Sequence, residues 1–194
     1  YCEDVPVSRI AKEVGTPCYV YSHATLLRHF RAYDSAFKNI PHVIAFAMKA
    51  NSNQAVLKTF AALGAGMDVV SEGELRRARA VGVPGSKITF SGVGKTDQEI
   101  NYALDQSIHC FNIESEPELL RISTLATAKG MKAKISIRVN PDVDAHTHAK
   151  ITTGKSDNKF GIPLKNAAAA YADAARYPNI ELKGVQMHIG SQLT

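Results

Sequence analysis

Short apolar runs alternate with amphipathic segments along most of this chain. Runs rich in branched and aromatic side chains predict buried strands, and apolar residues at helical spacing predict helices. The predicted strands lie at residues 43–48, 67–70, 87–90, 109–113, 134–139 and 182–189. The predicted helices lie at residues 22–37, 53–63, 72–81, 97–104, 115–130 and 164–176. A further short strand is predicted at residues 18–21.

The regular alternation of strands and helices predicts a parallel α/β architecture, a (β/α)8 barrel of the TIM type. We count about six of the eight strand–helix units that a closed barrel of typically about 250 residues needs. The sequence of 194 residues ends just after the sixth predicted strand. We therefore interpret residues 22–194 as an incomplete barrel domain, which follows an N-terminal segment over residues 1–21 that carries the additional short strand.

The side chains at the carboxyl ends of three predicted strands share one face of the sheet. Successive side chains of a strand point to opposite sides, so the bulky apolar set of each strand is expected to face the outer helices. In the last strand this apolar set is Val185, Met187 and Ile189. The opposite sets end in Lys49, Arg138 and His188. Because barrels carry their chemistry at this end of the sheet, the three residues predict an anion-binding functional site.

Lys49 is the candidate nucleophile. Burial at the end of a strand would disfavour its ammonium form and leave an amine able to form a Schiff base. Each of the three residues also has a simpler interpretation. Lys49 alone fits a surface lysine and His188 a hydrogen-bonded core histidine. Arg138 alone fits a structural ion-pair partner of Asp68 or Glu74. Their common inward face favours the functional interpretation.

Charge and composition narrow the range of partners. The formal net charge is +5, and the basic residues are scattered rather than interleaved with aromatic ones, so no nucleic-acid surface is predicted. No apolar run approaches the roughly 20 residues that a membrane helix needs. The three cysteines, Cys2, Cys18 and Cys110, are widely spaced and predict reduced thiols in a cytoplasmic protein.

Three motifs fail the requirements of the sites that they suggest. Gly92 and Gly94 follow a strand, but the dinucleotide-binding fingerprint is not completed after them. The segment before Lys155 lacks the first glycine of a P-loop. His146 and His148 have no acidic or cysteine partner at ligand spacing, so no metal site is predicted.

Five segments of the sequence resemble the fold-type III, alanine-racemase-like barrel enzymes that use pyridoxal phosphate. Residues 46–51 resemble the lysine motif of that family, and residues 66–74 resemble the second-strand motif of its decarboxylases. Residues 158–162, residues 188–192 and the long loop at residues 144–154 sharpen the likeness to the diaminopimelate decarboxylases. The likeness covers essentially the whole chain, in order.

The resemblance assigns roles to individual residues. It implies that Lys49 forms a covalent aldimine with pyridoxal 5′-phosphate, that His188 stacks on the cofactor ring, and that Lys49 and His188 are catalytic. It implies that Ser191 helps to hold the phosphate. The implied cofactor-binding set is Lys49, Asp68, Glu74, Arg138, His188 and Ser191.

The implied reaction is decarboxylation of meso-diaminopimelate, a small amino acid, to L-lysine and carbon dioxide, in a homodimer. The family's glycine-rich phosphate loop, its later catalytic segments and its C-terminal β-domain have no counterpart in these 194 residues. We therefore expect an N-terminal fragment that is inactive alone. Two alternatives stay open. One is another fold-type III decarboxylase, acting on ornithine, arginine or carboxynorspermidine, and the other is a non-catalytic pyridoxal-phosphate-binding protein.

Overall fold

The computed structural model describes residues 1–143 and 160–190. Its strands are β1 (Ala45–Ala47), β2 (Gly66–Val69), β3 (Ile88–Phe90), β4 (Cys110–Ile113), β5 (Ala133–Asn140), β6 (Ile162–Pro163) and β7 (Ile180–Gln186). Its α-helices are α1 (Val7–Val14), α2 (His23–Ala36), α3 (Gln54–Ala62), α4 (Glu72–Ala80), α5 (Asp97–Asp105), α6 (Glu116–Ala128) and α7 (Ala167–Ala174). Every strand and helix predicted from residue 22 onward is present, with ends that differ by a few residues.

The strands form a parallel sheet whose order follows the chain. Each of β1 to β4 pairs with the next strand, and β7 pairs with β5. The two-residue β6 pairs with the end of β5. A sequential order places the connecting helices on one side of the sheet, as in a (β/α)8 barrel and unlike a doubly wound sheet. The predicted barrel architecture is confirmed.

Polar residues begin several of the helices. Ser22 Oγ accepts the Thr25 amide at 3.0 Å, and Asn53 Oδ1 accepts the amide two residues on at 2.9 Å. Thr96 and Glu99 form a reciprocal capping box at the start of α5. These bonds satisfy amides that a first helical turn leaves without intrahelical partners. The helices therefore begin where their sequence signals predict.

The core contains apolar side chains of the strands and the helices. Met67, Phe90 and Ile137 are fully buried on the strands, as are Leu75 and Leu119 on the helices. Each such side chain stabilises the fold by roughly 1.5–3 kcal/mol relative to its exposed state. This packing holds the strand ends, and the polar residues on them, in fixed relative positions.

The N-terminal segment differs from the prediction. Residues 18–21 form no strand, because none of the described strands pairs with them, and Tyr19 is 92% exposed. A lone extended segment has no neighbour to satisfy its backbone amides and carbonyls. Instead, a helix that we did not predict covers Val7–Val14, where apolar residues recur at helical spacing after Pro6.

The outward side of β7 also differs from the prediction. Val185 and Met187 are both 56% exposed rather than packed under helices. Val185 is the register partner of Ile137, which is fully buried on the neighbouring strand. The apolar pattern of β7 is therefore correct, but no described element packs over Val185 and Met187 closely enough to bury them.

Two further findings concern the part of the chain that the structure describes. No helix within it is long and apolar enough to cross a membrane. It also contains no group of three or more His, Cys, Asp or Glu side chains placed to bind a metal ion. His146 and His148, the loop at residues 144–154, and residues 158 and 159 of the segment 158–162 lie outside the described residues.

Candidate functional site

The carboxyl ends of the strands surround a cavity of about 410 Å³. Its small and apolar lining includes Ala47, Gly92, Val93 and Phe160. Its polar lining consists of Lys49, Asp68, Ser91, Arg138, Gln186 and His188. The three residues that strand alternation placed on one inward face therefore meet in one cavity.

Lys49 lies just past β1, in a single 3-10 turn over Met48–Ala50. Met48 turns into the core and is fully buried, whereas the Lys49 side chain is exposed at the cavity. The expectation that Lys49 is buried was therefore wrong, because the chain leaves the strand before this residue. Lys49 makes no hydrogen bond or ion pair with any residue that the structure describes, so its amine is available to a ligand.

Asp68 is held on the cavity wall by two hydroxyl groups. Thr89 Oγ1 and Ser91 Oγ both donate to Asp68 Oδ1, at 2.8 Å and 2.6 Å. Asn112 Nδ2 in turn donates to Ser91 Oγ at 2.9 Å. Both bonds use the same carboxylate oxygen, which fixes the orientation of the carboxylate. Asp68 is thus a fixed negative charge in the cavity.

Arg138 is buried near the end of β5 and pairs with Glu114. Its Nη1 donates to Glu114 Oε1 at 2.7 Å, and its guanidinium carbon lies 5.0 Å from the centre of the Phe160 ring. The suggested partners Asp68 and Glu74 were wrong, because Glu114 follows the neighbouring strand β4 directly and is closer. The ion pair fixes Arg138 without removing it from the cavity lining.

His188 is half-buried at the cavity, just past β7. Burial lowers its pKa below the ordinary 6.5, and the positive charges of Lys49 and Arg138 lower it further, against the opposing effect of Asp68 and Glu114. His188 is therefore a neutral imidazole near pH 7, with a flat ring beside the lysine amine.

Glu74 is not among the residues that line this cavity. Glu74 Oε2 accepts the Val70 amide at 2.8 Å, and the Glu74 amide donates to Ser71 Oγ at 3.2 Å. Its carboxylate therefore closes the turn between β2 and α4. Ser191 lies outside the described residues.

Several residues that line the cavity or support its lining were missed by sequence reasoning. Ser91 and Asn112 support Asp68, and Glu114 supports Arg138. Asn112 is a polar residue within a buried strand, and Glu114 follows that strand directly, so both carried a signal. Gln186 stands two residues before His188 and lines the same cavity. Its Nε2 donates to the Met187 carbonyl, and its buried Oε1 has no hydrogen-bond partner among the described residues.

Comparison with known proteins shows the family. Residues 23–194 match the model described as pyridoxal-dependent decarboxylase, pyridoxal binding domain. The chain belongs to this family. The family is pyridoxal-dependent, which agrees with the cofactor that the motifs imply.

Individual relatives among the pyridoxal-dependent decarboxylases are similar over the whole chain. The diaminopimelate decarboxylase of Vibrio cholerae is 54% identical over 194 residues, which are 100% of this chain and 46% of the relative. The crystal structure of diaminopimelate decarboxylase from Helicobacter pylori, complexed with L-lysine, is 42% identical with a TM-score of 0.93. It is matched over 97% of this chain and 48% of its own. The chain thus spans about half the length of these relatives.

The residues of the cavity fit pyridoxal phosphate. A free amine for the cofactor's aldehyde comes from Lys49, a positive charge for its anionic groups from Arg138, and a flat neutral ring from His188. The buried Gln186 Oε1 offers an unused acceptor in the same wall. The volume of about 410 Å³ lies within the roughly 300–1,000 Å³ of small-molecule sites.

Proposed function

We propose that this chain provides the lysine-bearing half of the active site of a diaminopimelate decarboxylase, which converts meso-diaminopimelate to L-lysine and carbon dioxide. Two relatives that are each 54% identical over the 194 residues of this chain are diaminopimelate decarboxylases, and their names support this substrate. The lysine bound in the H. pylori structure supports an amino-acid ligand, because L-lysine is the product of the proposed reaction.

One observation carries the proposal. Lys49 reaches the cavity as an amine without a protein partner among the described residues, while Arg138 is held beside it by Glu114. An unpaired amine beside a fixed cation and a neutral imidazole suits covalent capture of an anionic aldehyde. An ordinary surface lysine would instead point away from the strand ends, whereas Lys49 lines the cavity with Arg138 and His188.

The proposed roles follow from the positions of the residues. Lys49 Nζ would hold the cofactor through its aldehyde and would move a proton to or from the reacting carbon. Arg138 attracts the anionic groups of cofactor and substrate, and His188 stacks as a neutral ring. Asp68 and Ser191 are proposed to complete the cofactor shell, while Glu74, predicted for the same shell, acts only indirectly by holding the turn between β2 and α4. Pyridoxal phosphate, when bound, supplies the electron sink for the pair left by carbon dioxide.

The remaining features of the proposal concern the whole protein. Phosphate binding in barrels commonly uses the loops after the seventh and eighth barrel strands. The described structure supplies six barrel strands, β1 to β5 and β7, so these two loops lie beyond them. We propose that the other half of the protein supplies them, that the whole protein is a cytoplasmic homodimer without a nucleic-acid partner, and that the 194 residues alone are inactive.

A substrate comparison tests the proposal. The full-length protein that carries this sequence is assayed for carbon dioxide release from meso-diaminopimelate, ornithine and arginine, with Lys49→Ala and Lys58→Ala as variants. We expect release from meso-diaminopimelate alone, retained in Lys58→Ala and lowered at least about a thousandfold in Lys49→Ala. Release from ornithine or arginine instead identifies another decarboxylase of the family. Cofactor binding without release from any substrate identifies a non-catalytic protein.

A further inference from the structure

Lys95 is a deeply buried cation in the segment between β3 and α5, with a side chain only 1% exposed. Its Nζ donates to Glu118 Oε1 at 2.6 Å, to the Gly92 carbonyl at 2.7 Å and to the Asn112 carbonyl at 2.9 Å. An ammonium group has three donors, and all three are used here. Lys95 therefore ties its own segment to β4 and α6.

The contacts of Lys95 continue through two glutamates to Arg138. Glu118 accepts Lys95 on Oε1 and the Glu114 backbone amide on Oε2, the latter at 2.8 Å. Glu114 in turn accepts Arg138 Nη1 on Oε1 at 2.7 Å and the Gly161 amide on Oε2 at 3.1 Å. We call Lys95, Glu118, Glu114 and Arg138 the buried charge chain. It runs from the interior to the cavity wall.

Ser115 and Glu118 stand at the spacing of a capping box at the start of α6, a pattern that predicts a bond from each side chain to the other residue's backbone amide. Ser115 Oγ accepts the Glu118 amide at 3.4 Å, as the sequence predicts. The Glu118 carboxylate does not return to the Ser115 amide, however, and binds Lys95 and the Glu114 amide instead. The carboxylate thus holds the segment that carries Glu114.

Because its members are buried, the charge balance of the buried charge chain depends on Lys95. Burial raises the pKa of Glu118, and the charges of Lys95 and Glu114 act on it in opposite directions, Lys95 favouring the ionised form. Without Lys95, the buried carboxylates of Glu118 and Glu114 would lie next to each other, and Arg138 would be the one remaining cation of the buried charge chain. Removing one partner of a buried pair leaves an uncompensated charge, which is strongly unfavourable.

We propose that Lys95, acting through Glu118 and Glu114, is a positioning residue that fixes the guanidinium of Arg138 at the cofactor cavity. This role deepens the proposed function. Its expected effect on cofactor binding rests on that function. Lys95 itself does not line the cavity, but it binds the carbonyl of Gly92, which does. The same ammonium group therefore supports two parts of the wall.

Three variants of the full-length protein separate positioning from stability. Lys95→Met removes the cation. Lys95→Met/Glu118→Leu removes the whole pair, a replacement that is often neutral or stabilising in buried sites. Lys129→Met is the matched control, because Lys129 also pairs with a carboxylate, Asp105 Oδ1 at 2.7 Å, but outside the buried charge chain.

The first readout needs no cofactor. Phenylglyoxal modifies accessible, unpaired arginines, and peptide mass spectrometry of the apoprotein measures its rate at Arg138. We expect Arg138 to react several-fold faster in both Lys95 variants and at the wild-type rate in Lys129→Met. A wild-type rate in either folded Lys95 variant would overturn the positioning role.

The second readout is the Kd of the apoprotein for pyridoxal phosphate, followed by absorbance. We expect it to rise on the order of tenfold in both Lys95 variants, as when a group that orients a binding residue is lost. The double variant is expected to keep a thermal midpoint near that of the wild type. Wild-type affinity in the double variant overturns the proposal. A wild-type protein that does not bind the cofactor contradicts the proposed function instead, and the Arg138 readout still decides the positioning role.

Discussion

Two groups of charge lie at the carboxyl end of the barrel strands, the buried charge chain and the single residue Lys49. They differ in burial and in pairing. Beside β3 to β5, successive members of the buried charge chain contact each other through donor–acceptor distances of 2.6–2.8 Å. Beside β1, Lys49 is exposed and makes no hydrogen bond or ion pair with the described residues. The two groups face the same cavity through Arg138 and Lys49.

The difference separates support from chemistry. A buried and fully paired charge has a fixed position, and leaving its pair is costly. An unpaired amine remains free to bond with a ligand and to move protons. We therefore interpret the buried charge chain as the frame of the site and Lys49 as its reacting group.

The largest change in stability is expected from breaking the frame. Glu114→Leu leaves the buried Arg138 without its carboxylate and the Gly161 amide without its acceptor. We expect the free energy of unfolding to fall by about 3–5 kcal/mol, the cost of removing one partner of a buried ion pair. Urea denaturation followed by circular dichroism measures it.

Lys49→Leu is the matched variant for Glu114→Leu, since it removes a charge at the same cavity that has no partner among the described residues. We expect little change in its free energy of unfolding. If both variants lose similar stability, the distinction between frame and reacting group does not hold.

A smaller effect is expected where the chain packs closely on Arg138. Gly161 has a φ of +76°, and a Cβ built there would lie 2.9 Å from the Arg138 carbonyl oxygen. Gly161→Ala is therefore expected to destabilise the protein by about 1–3 kcal/mol, through backbone strain and crowding. Gly94→Ala is the control in the same measurement, since its Cβ would meet nothing within 4 Å. Equal losses in the two variants would show that the frame is not tightly packed there.

The smallest effect is electrostatic and concerns the pKa of His188, which Lys49 and Arg138 both lower. Lys49→Gln removes one of the two cations that lower the pKa of His188, so this pKa should rise toward 6.5 without reaching it, because burial and Arg138 remain. NMR titration of the imidazole measures the change, with Lys58→Gln as the control. An unchanged pKa in Lys49→Gln would place the Lys49 charge too far from His188 to share its ligand.

The lowered pKa of His188 also fixes the sign of a pH effect. Between the folded pKa and 6.5, the unfolded chain binds more protons at this residue than the folded protein. The contribution of neutral His188 to stability is therefore present above about pH 6.5 and falls as the pH drops toward the folded pKa. His188→Gln should flatten this part of the stability–pH curve.

Much of the fold was predictable because its signals are local. Strand periodicity and caps such as Asn53 and Thr96 depend on neighbouring residues alone. Alternation along strands also placed Lys49, Arg138 and His188 at one end of the barrel, although the single 3-10 turn that exposes Lys49 was not visible in the pattern. The amphipathic spacing of α1 was present in the sequence but was not used.

The support of the site was harder to predict, because it depends on contacts between segments distant in sequence. Lys95 reaches Glu118 across 23 residues, and Arg138 reaches Glu114 across 24. No pattern within one element selects these partners from the other charged residues. Glu118 was misleading for a physical reason, since its place in a capping-box pattern predicted a bond to Ser115 and a buried lysine competes for the same carboxylate.

Reductive trapping tests the central claim, that Lys49 is the residue that bonds to the cofactor, most directly. The full-length protein is loaded with pyridoxal phosphate, reduced with borohydride, digested and mapped by mass spectrometry. We expect the reduced cofactor to lie on Lys49 and Lys49→Ala to carry none. Reduced cofactor on another lysine, or unchanged labelling of Lys49→Ala, would contradict the account.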